Sequence, residues 1–191
     1  LDDQNNPDLA EQRANEIVQD DKALVVIGHA FSSSSNRAGG VYEAAKIPAI
    51  TGSATADSVT ENRDWYFRVI PNSHSQAVFI ANYFYHILGY KTATIIHDID
   101  AAGISLAEPF ESTFTELGGM VNYVLPVDPS QDNIDQQLDD IVTTLKNREN
   151  GDIGAIFFAT KVPQGIKLIV ALKRLGIQAP LFGSSSFANI D

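Results

Sequence analysis

Four consecutive hydroxyls, Ser32 to Ser35, stand between the apolar run "ALVVIG" (23–28) and a segment of helical period that shows Ala38, Val41, Tyr42 and Ala45. One serine is enough to cap a helix. Four at a strand-to-helix turn offer hydroxyls together with free backbone N–H groups, which suits a carboxylate or another compact anion. Short polar loops follow other apolar runs as well. Ser53, Ala54 and Thr55 come after "PAIT" (48–51), and Asp98 and Asp100 after "TATIIH" (92–97). Thr160 and Lys161 come after "IGAIFF" (153–158), and Ser184, Ser185 and Ser186 after "APLF" (179–182). Taken singly, each loop reads as an ordinary cap or turn. Together, on the edge where the strands of an open α/β sheet end, they read as a ligand cleft.

Catalytic signatures do not accompany them. Ser53 follows Gly52 directly, so "GSATA" is not the nucleophile pattern G-x-S-x-G. Neither a Walker loop nor a G-x-G-x-x-G follows a strand. His29, His74, His86 and His97 lack metal-ligand spacing, and the absence of cysteine removes disulfides and thiolate ligands. A Ser–His–Asp set can be drawn from Ser32, His29 and Asp98, but a histidine directly after a buried strand reads as structural. Asp98 and Asp100 read either as an acid–base pair or as residues that end a strand in solvent. The expectation is a protein without catalytic residues, metal or cofactor.

The elements that must position these loops alternate. Asn6 and Pro7 open a helix with Leu9, Ala10, Ala14, Ile17 and Val18 on one face. Gly39 and Gly40 in the second helix imply close packing on a sheet. After "WYFRV" (65–69) the chain starts afresh. Ser73 and Gln76 form a capping box for a helix through Ala77, Ile80, Ala81, Phe84 and Leu88, stopped by Gly89. Ser105 and Glu108 offer a second capping box, with Pro109 near that helix start. A strand at 120–127, a helix through Ile134, Leu138, Ile141, Val142 and Leu145, and a helix through Ile166, Ile169 and Leu172 complete the pattern. Short connections between alternating elements predict an α/β fold of doubly wound parallel sheets with helices on both faces. The breakers at Pro71–Ser73 divide it into 1–71 and 72–191.

The totals bound the function. The 191 residues are 44% hydrophobic, so the chain is globular, and a net charge of −11 argues against a nucleic-acid or anionic-membrane partner. A local site of oriented amides can still hold a small anion. The chain opens on Leu without a signal-peptide pattern, so it reads as a mature product or an excerpt.

The segments "VIGHAFSSSS", "VYEAAKIPAITGSATADSVT", "WYFRVIPNSHSQ" and "ATIIHDIDAAG" resemble the type I periplasmic binding proteins, in the branch of leucine/isoleucine/valine-binding proteins and their receptor relatives. The resemblance implies two Rossmann-like α/β lobes with a small ligand trapped between them. It implies a carboxylate cradle on the first lobe from Ser32, Ser53, Ala54 and Thr55, with Ser33 adding a hydroxyl or N–H and Ser34 and Ser35 capping the helix. On the second lobe it points to Asp98 and to three departures: Ala102 and Lys161 where relatives carry aromatics, and Ser185 where amino-acid binders carry an acid for the ammonium. A carboxylate without an ammonium, or a dicarboxylate, fits that second lobe. The resemblance also implies a first lobe that lacks part of its elements, with open sheet edges that invite a homodimer. The function implied is a periplasmic or extracellular solute-binding protein whose partner is an ABC permease. The alternative is the sensing ectodomain of a membrane receptor, fused to a signalling domain.

Overall fold

Parallel neighbours need a long crossover between them, which a helix supplies, and every strand pairing among the described residues is parallel. The computed structural model describes residues 1–148 and 151–189. It divides into two units, Leu1–Gln76 and a second that begins at Ala77. Among the described residues no helix is long and apolar enough to cross a membrane.

In the first unit, β1 (Val26–Ile27), β2 (Ala49–Thr51) and β3 (Tyr66–Arg68) form a sheet in that order. Helix α1 (Pro7–Asp20) starts as the sequence predicts: Asn6 Oδ1 accepts from the N–H of Asp8 at 2.9 Å and of Leu9 at 3.1 Å. Helix α2 (Ser32–Ala45) packs on α1, and Ala10, Ala14, Ala38, Tyr42, Ala49 and Tyr66 are buried. Ile27, Ile50 and Phe67 share one register row on the opposite face. There Ile27 is 78% and Phe67 49% exposed, so helices cover one face of this sheet, where the sequence predicts both.

The second unit is doubly wound. Its strands β4 (Thr92–Asp98), β5 (Met120–Val127), β6 (Ala155–Ala159) and β7 (Leu181–Gly183) lie in the order β5-β4-β6-β7. The alternation of side chains along each strand divides the core. Ala93, Ile95, Ala155 and Phe157 pack with Phe84, Phe110 and Phe114 on one face. Ile96, Ile156 and Phe158 pack with Leu138, Leu145, Leu168 and Leu172 on the other. Helices α3 (Ser73–Asn82) and α4 (Ala101–Glu116) thus serve the first layer, and α5 (Ile134–Asn147) and α6 (Val162–Arg174) the second. The chain leaves β4 to one side for β5 and returns to the other side for β6. The topological switch point, and the crevice it opens, therefore lies between β4 and β6.

Three local expectations are corrected. Ser73 does not cap α3: its hydroxyl is buried without a partner, and Asn72 Oδ1 takes the Ser75 N–H at 2.9 Å instead. Helix α4 starts at Ala101 and not after Ser105. Asp100 Oδ1 accepts the Gly103 N–H at 2.9 Å, and Pro109 falls inside the helix. A carboxylate immediately beyond the strand satisfies the first free N–H groups before the S-x-x-E pattern is reached. Of the two glycines in α2, Gly39 lies against Arg63 and Tyr66, whereas Gly40 is exposed with nothing nearby.

Gly103 is where α4 meets β4 most closely. A Cβ there would stand 2.1 Å from the Asp98 carbonyl oxygen. Gly103→Ala is expected to cost roughly 1–3 kcal/mol, the usual range for overpacking, read as a lowered midpoint in thermal unfolding. An unchanged midpoint would contradict that close approach.

Candidate functional site

In the first unit the polar residues beyond β1 and β2 do converge. The first intrahelical bond of α2 runs from Ser35 N to Phe31 O, so the N–H groups of Ser32, Ser33 and Ser34 precede the ladder. Ser32, 4% exposed, sits in the first turn, and its Oγ accepts the Ala56 N–H at 3.1 Å. That bond leaves the Ser32 proton to donate. Ser33 is half-buried. Ser34 and Ser35 are buried and do not cap: the Ser34 hydroxyl has no partner, and the Ser35 hydroxyl turns back to His29 O at 3.1 Å. Thr55 is half-buried. Its carbonyl takes the Ser73 N–H at 2.7 Å, while its N–H and hydroxyl have no bond among the described residues.

Three residues that the sequence reading passed over shape this loop. Thr51 Oγ1 accepts the N–H groups of Ser53 at 3.3 Å and Ala54 at 3.0 Å and donates to His29 O at 2.9 Å. The Arg68 guanidinium donates to the carbonyls of Ala54 at 3.5 Å, Thr55 at 3.2 Å and Ala56 at 2.8 Å. Burial lowers its pKa, opposed by the charge of Asp57. With the loop carbonyls turned to Arg68, the free Thr55 N–H is left on the other side. Tyr66 completes the support: its hydroxyl takes the His29 N–H at 2.9 Å and donates to Gly28 O at 2.7 Å. The readable signal for Arg68 was a charge inside the apolar run "WYFRV". Ser53, which the sequence places in the cradle, is exposed, and its hydroxyl donates to Ala30 O at 2.8 Å. The buried Ala54 spends its N–H on Thr51.

The imagined triad is not assembled. The His29 ring is held by Asp3 Oδ2 at 2.5 Å and the Tyr42 hydroxyl at 3.0 Å, and Ser32 is turned to Ala56. No group of three His, Asp or Glu placed to hold a metal occurs among the described residues.

In the second unit, Asp98 ends β4 and is 1% exposed, not solvated. Its Oδ2 accepts the Lys161 N–H at 2.8 Å, while Oδ1 is buried without a partner. Burial raises its pKa to about 6, helped by the negative charge of Asp100 and opposed by the hydrogen bond and charge of Lys161. Lys161 Nζ pairs with Asp100 Oδ2 at 2.8 Å, bridging the loops after β6 and β4. The hydroxyls of Thr160 and Ser184, 4% and 5% exposed, are also buried without partners. Ala102 lies half-buried in the first turn of α4, and its carbonyl accepts from the Ser105 hydroxyl at 3.2 Å. Ser185 is exposed at the start of a short 3-10 turn, Ser185–Asn189.

Two parallel α/β units, each gathering polar groups beyond the carboxyl ends of its strands, define a class of small-molecule-binding protein. The chain belongs to the periplasmic binding protein family, whose sequence pattern matches residues 1–190. It is 37% identical over 118 residues to an amino acid binding protein of Pseudomonas aeruginosa, covering 61% of this chain and 32% of that one. It is 26% identical over 189 residues to a leucine-, isoleucine-, valine-, threonine- and alanine-binding protein of the same organism, covering 98% and 48%. Among solved structures, a leucine-binding protein of Thermotoga maritima superposes with a TM-score of 0.81 at 26% identity, covering 96% of this chain and 50% of that one. The chain thus spans a third to a half of the length of these relatives.

The raised Asp98 pKa has a signed consequence. Between the ordinary value of 3.8 and about 6, the folded protein keeps a proton that the unfolded chain has released. Stability therefore falls as pH rises through that window. Asp98→Asn keeps an acceptor for Lys161 N–H and removes the buried charge. It is expected to raise the unfolding midpoint at pH 7, by at most roughly 3 kcal/mol, with the gain vanishing below pH 4. Thermal unfolding of both proteins from pH 3.5 to 7.5 checks this; a gain independent of pH would refute it.

Proposed function

We propose that this chain is the ligand-binding part of a periplasmic or extracellular solute-binding protein that delivers a small carboxylate-bearing molecule, an amino acid or related organic acid, to an ABC permease. The observation that carries the reading is the set of unspent donors at the start of α2: the N–H groups of Ser32 and Ser33, the Ser32 hydroxyl, and the N–H and hydroxyl of Thr55. Donors already held in place at a helix N-terminus bind a carboxylate with little reorganisation. Membership of the family, and relatives named for binding amino acids, support the same class of ligand.

The variant Ser32→Ala with Thr55→Ala removes two hydroxyls aimed at a charged group. It is expected to weaken binding of a carboxylate ligand by roughly 2–4 kcal/mol. Isothermal titration reads the affinity, and thermal unfolding of the ligand-free variant confirms that it folds. Unchanged affinity in a folded variant would refute the cradle.

A further inference from the structure

We infer that Arg68 is a positioning and specificity-determining residue of the first unit: its guanidinium, on the carbonyl side of the 54–56 loop, aligns the peptide groups that present Thr55 N–H and Ser32 O–H and makes them select a carboxylate over a neutral molecule of the same shape. The inference rests on the carboxylate-binding reading above.

Arg68 ends β3 in register with Thr51, on the sheet face that carries the buried Ala49 and Tyr66. A charge at the end of a covered face needs polar partners. Those it finds lie within residues 54–60. Its Nη1 donates to the carbonyls of Ala54, Thr55 and Ala56, and its Nη2 to Thr60 Oγ1 at 3.1 Å. The planar fork serves both ends of this stretch at once, which the single head of a lysine does not. Asp57 is the acid whose charge reaches Arg68, but its carboxylate is spent on the Asn72 side-chain amide and on the His74 N–H at 3.1 Å. Among the described residues no carboxylate forms an ion pair with Arg68. Its positive charge is therefore left to act on the loop.

The backbone carries that charge across. In a trans peptide the N–H points opposite to the C=O. The peptide that turns the Ala54 carbonyl to Arg68 thus turns the Thr55 N–H away from it, and the next peptide does the same for the Ala56 N–H. The Thr55 N–H has no bond among the described residues. The Ala56 N–H is taken by Ser32 Oγ at 3.1 Å, which leaves the Ser32 proton to point onward. Two relays run from the guanidinium: one peptide to the Thr55 N–H, and one peptide plus a hydroxyl to the Ser32 O–H. Hydrogen bonds in series polarise one another, so a cation at the carbonyl end strengthens the donor at the far end and adds its own field. A carboxylate gains from both. An amide of the same shape accepts hydrogen bonds through its oxygen but brings no net charge to meet the field. The start of a helix such as α2 supplies about half a unit of positive charge; Arg68 supplies a whole one.

The test is a titration of the whole chain with sodium acetate and with acetamide at pH 7, followed through the backbone amide resonances of Ser32, Ser33 and Thr55 in NMR spectra. Ionic strength is held constant, because salt screens the field. Acetate is expected to bind at least about tenfold tighter than acetamide, the scale of a unit charge felt across one peptide at a protein-like dielectric. Arg68→Gln keeps an amide donor for the carbonyls and removes the charge, and should bring that ratio below about threefold. Arg68→Lys keeps the charge without the fork, and should weaken both ligands while holding most of the ratio. Asp57→Asn removes the opposing charge, keeps an acceptor for the His74 N–H, and should raise the ratio about threefold. Circular dichroism confirms the fold of each. A merely structural Arg68 would lower both ligands alike, so a ratio that survives in folded Arg68→Gln overturns the inference, as does a ratio lost equally in the Gln and Lys variants. Should Arg68→Gln not fold, a ratio unmoved or lowered in Asp57→Asn overturns it instead. Acetate that binds the unmodified chain no tighter than acetamide overturns this inference alone. Acetate that gives no saturable shift at Ser32, Ser33 and Thr55 overturns the carboxylate reading, and this inference with it.

Discussion

The parallel hydrogen-bonding of β4 to β6 and of β6 to β7 is the constraint on which the second unit depends. Antiparallel pairing would send neighbouring strand ends to opposite edges. In parallel register, His97 stands beside Ala159 and Phe158 beside Gly183. The residues that follow, Asp98, Thr160 and Ser184, are thereby delivered to one edge from positions far apart in the chain. Because the core above and below is built of large side chains such as Phe110, Phe157, Phe158 and Leu168, these polar ends are buried almost as deeply as the apolar ones. A buried polar group without a partner costs stability unless a ligand or another group satisfies it. The concentration of such groups beyond three adjacent strands is what distinguishes this edge.

The first unit solves a different problem. A loop that is to present N–H groups must dispose of its carbonyls. Arg68 gathers those of Ala54, Thr55 and Ala56, and Ser73 N–H takes the Thr55 carbonyl again. Thr51 and Ser35 both spend their hydroxyls on the carbonyl of His29. The serine run is therefore divided by depth. Ser35 supports the turn from below, Ser32 braces the neighbouring loop, and Ser33 stands closer to the surface. Cap chemistry, the simplest account of hydroxyls at a helix start, describes none of the three.

Asp98 is held where its charge works against stability. Its burial raises the pKa to about 6, so at neutral pH the fold carries a charge it would hold more easily as the neutral acid. The Lys161 N–H bond and the nearby Lys161 charge offset part of that cost. A residue kept in such a position, one oxygen bonded and the other not, orients the loop after β6 as much as it offers an acceptor.

The alternation of apolar runs with helical periods was legible in the sequence. So were the two α/β units, the first cap at Asn6 and the loops that carry the polar residues, because these follow from local spacing and side-chain type. The residues that resemble the periplasmic binding family led to that family, which the comparisons bear out. What the polar residues do within those loops was decided by tertiary structure alone. A hydroxyl at Ser35 or Thr51 finds its acceptor at His29 only after β1, β2 and α2 are packed. Asp98 finds the Lys161 N–H, and Lys161 meets Asp100 across 61 residues of sequence, only because β4 and β6 are neighbours in the sheet. Local pattern specifies which backbone shape a segment takes; the partner of each polar atom is set by strand order, which no segment contains by itself.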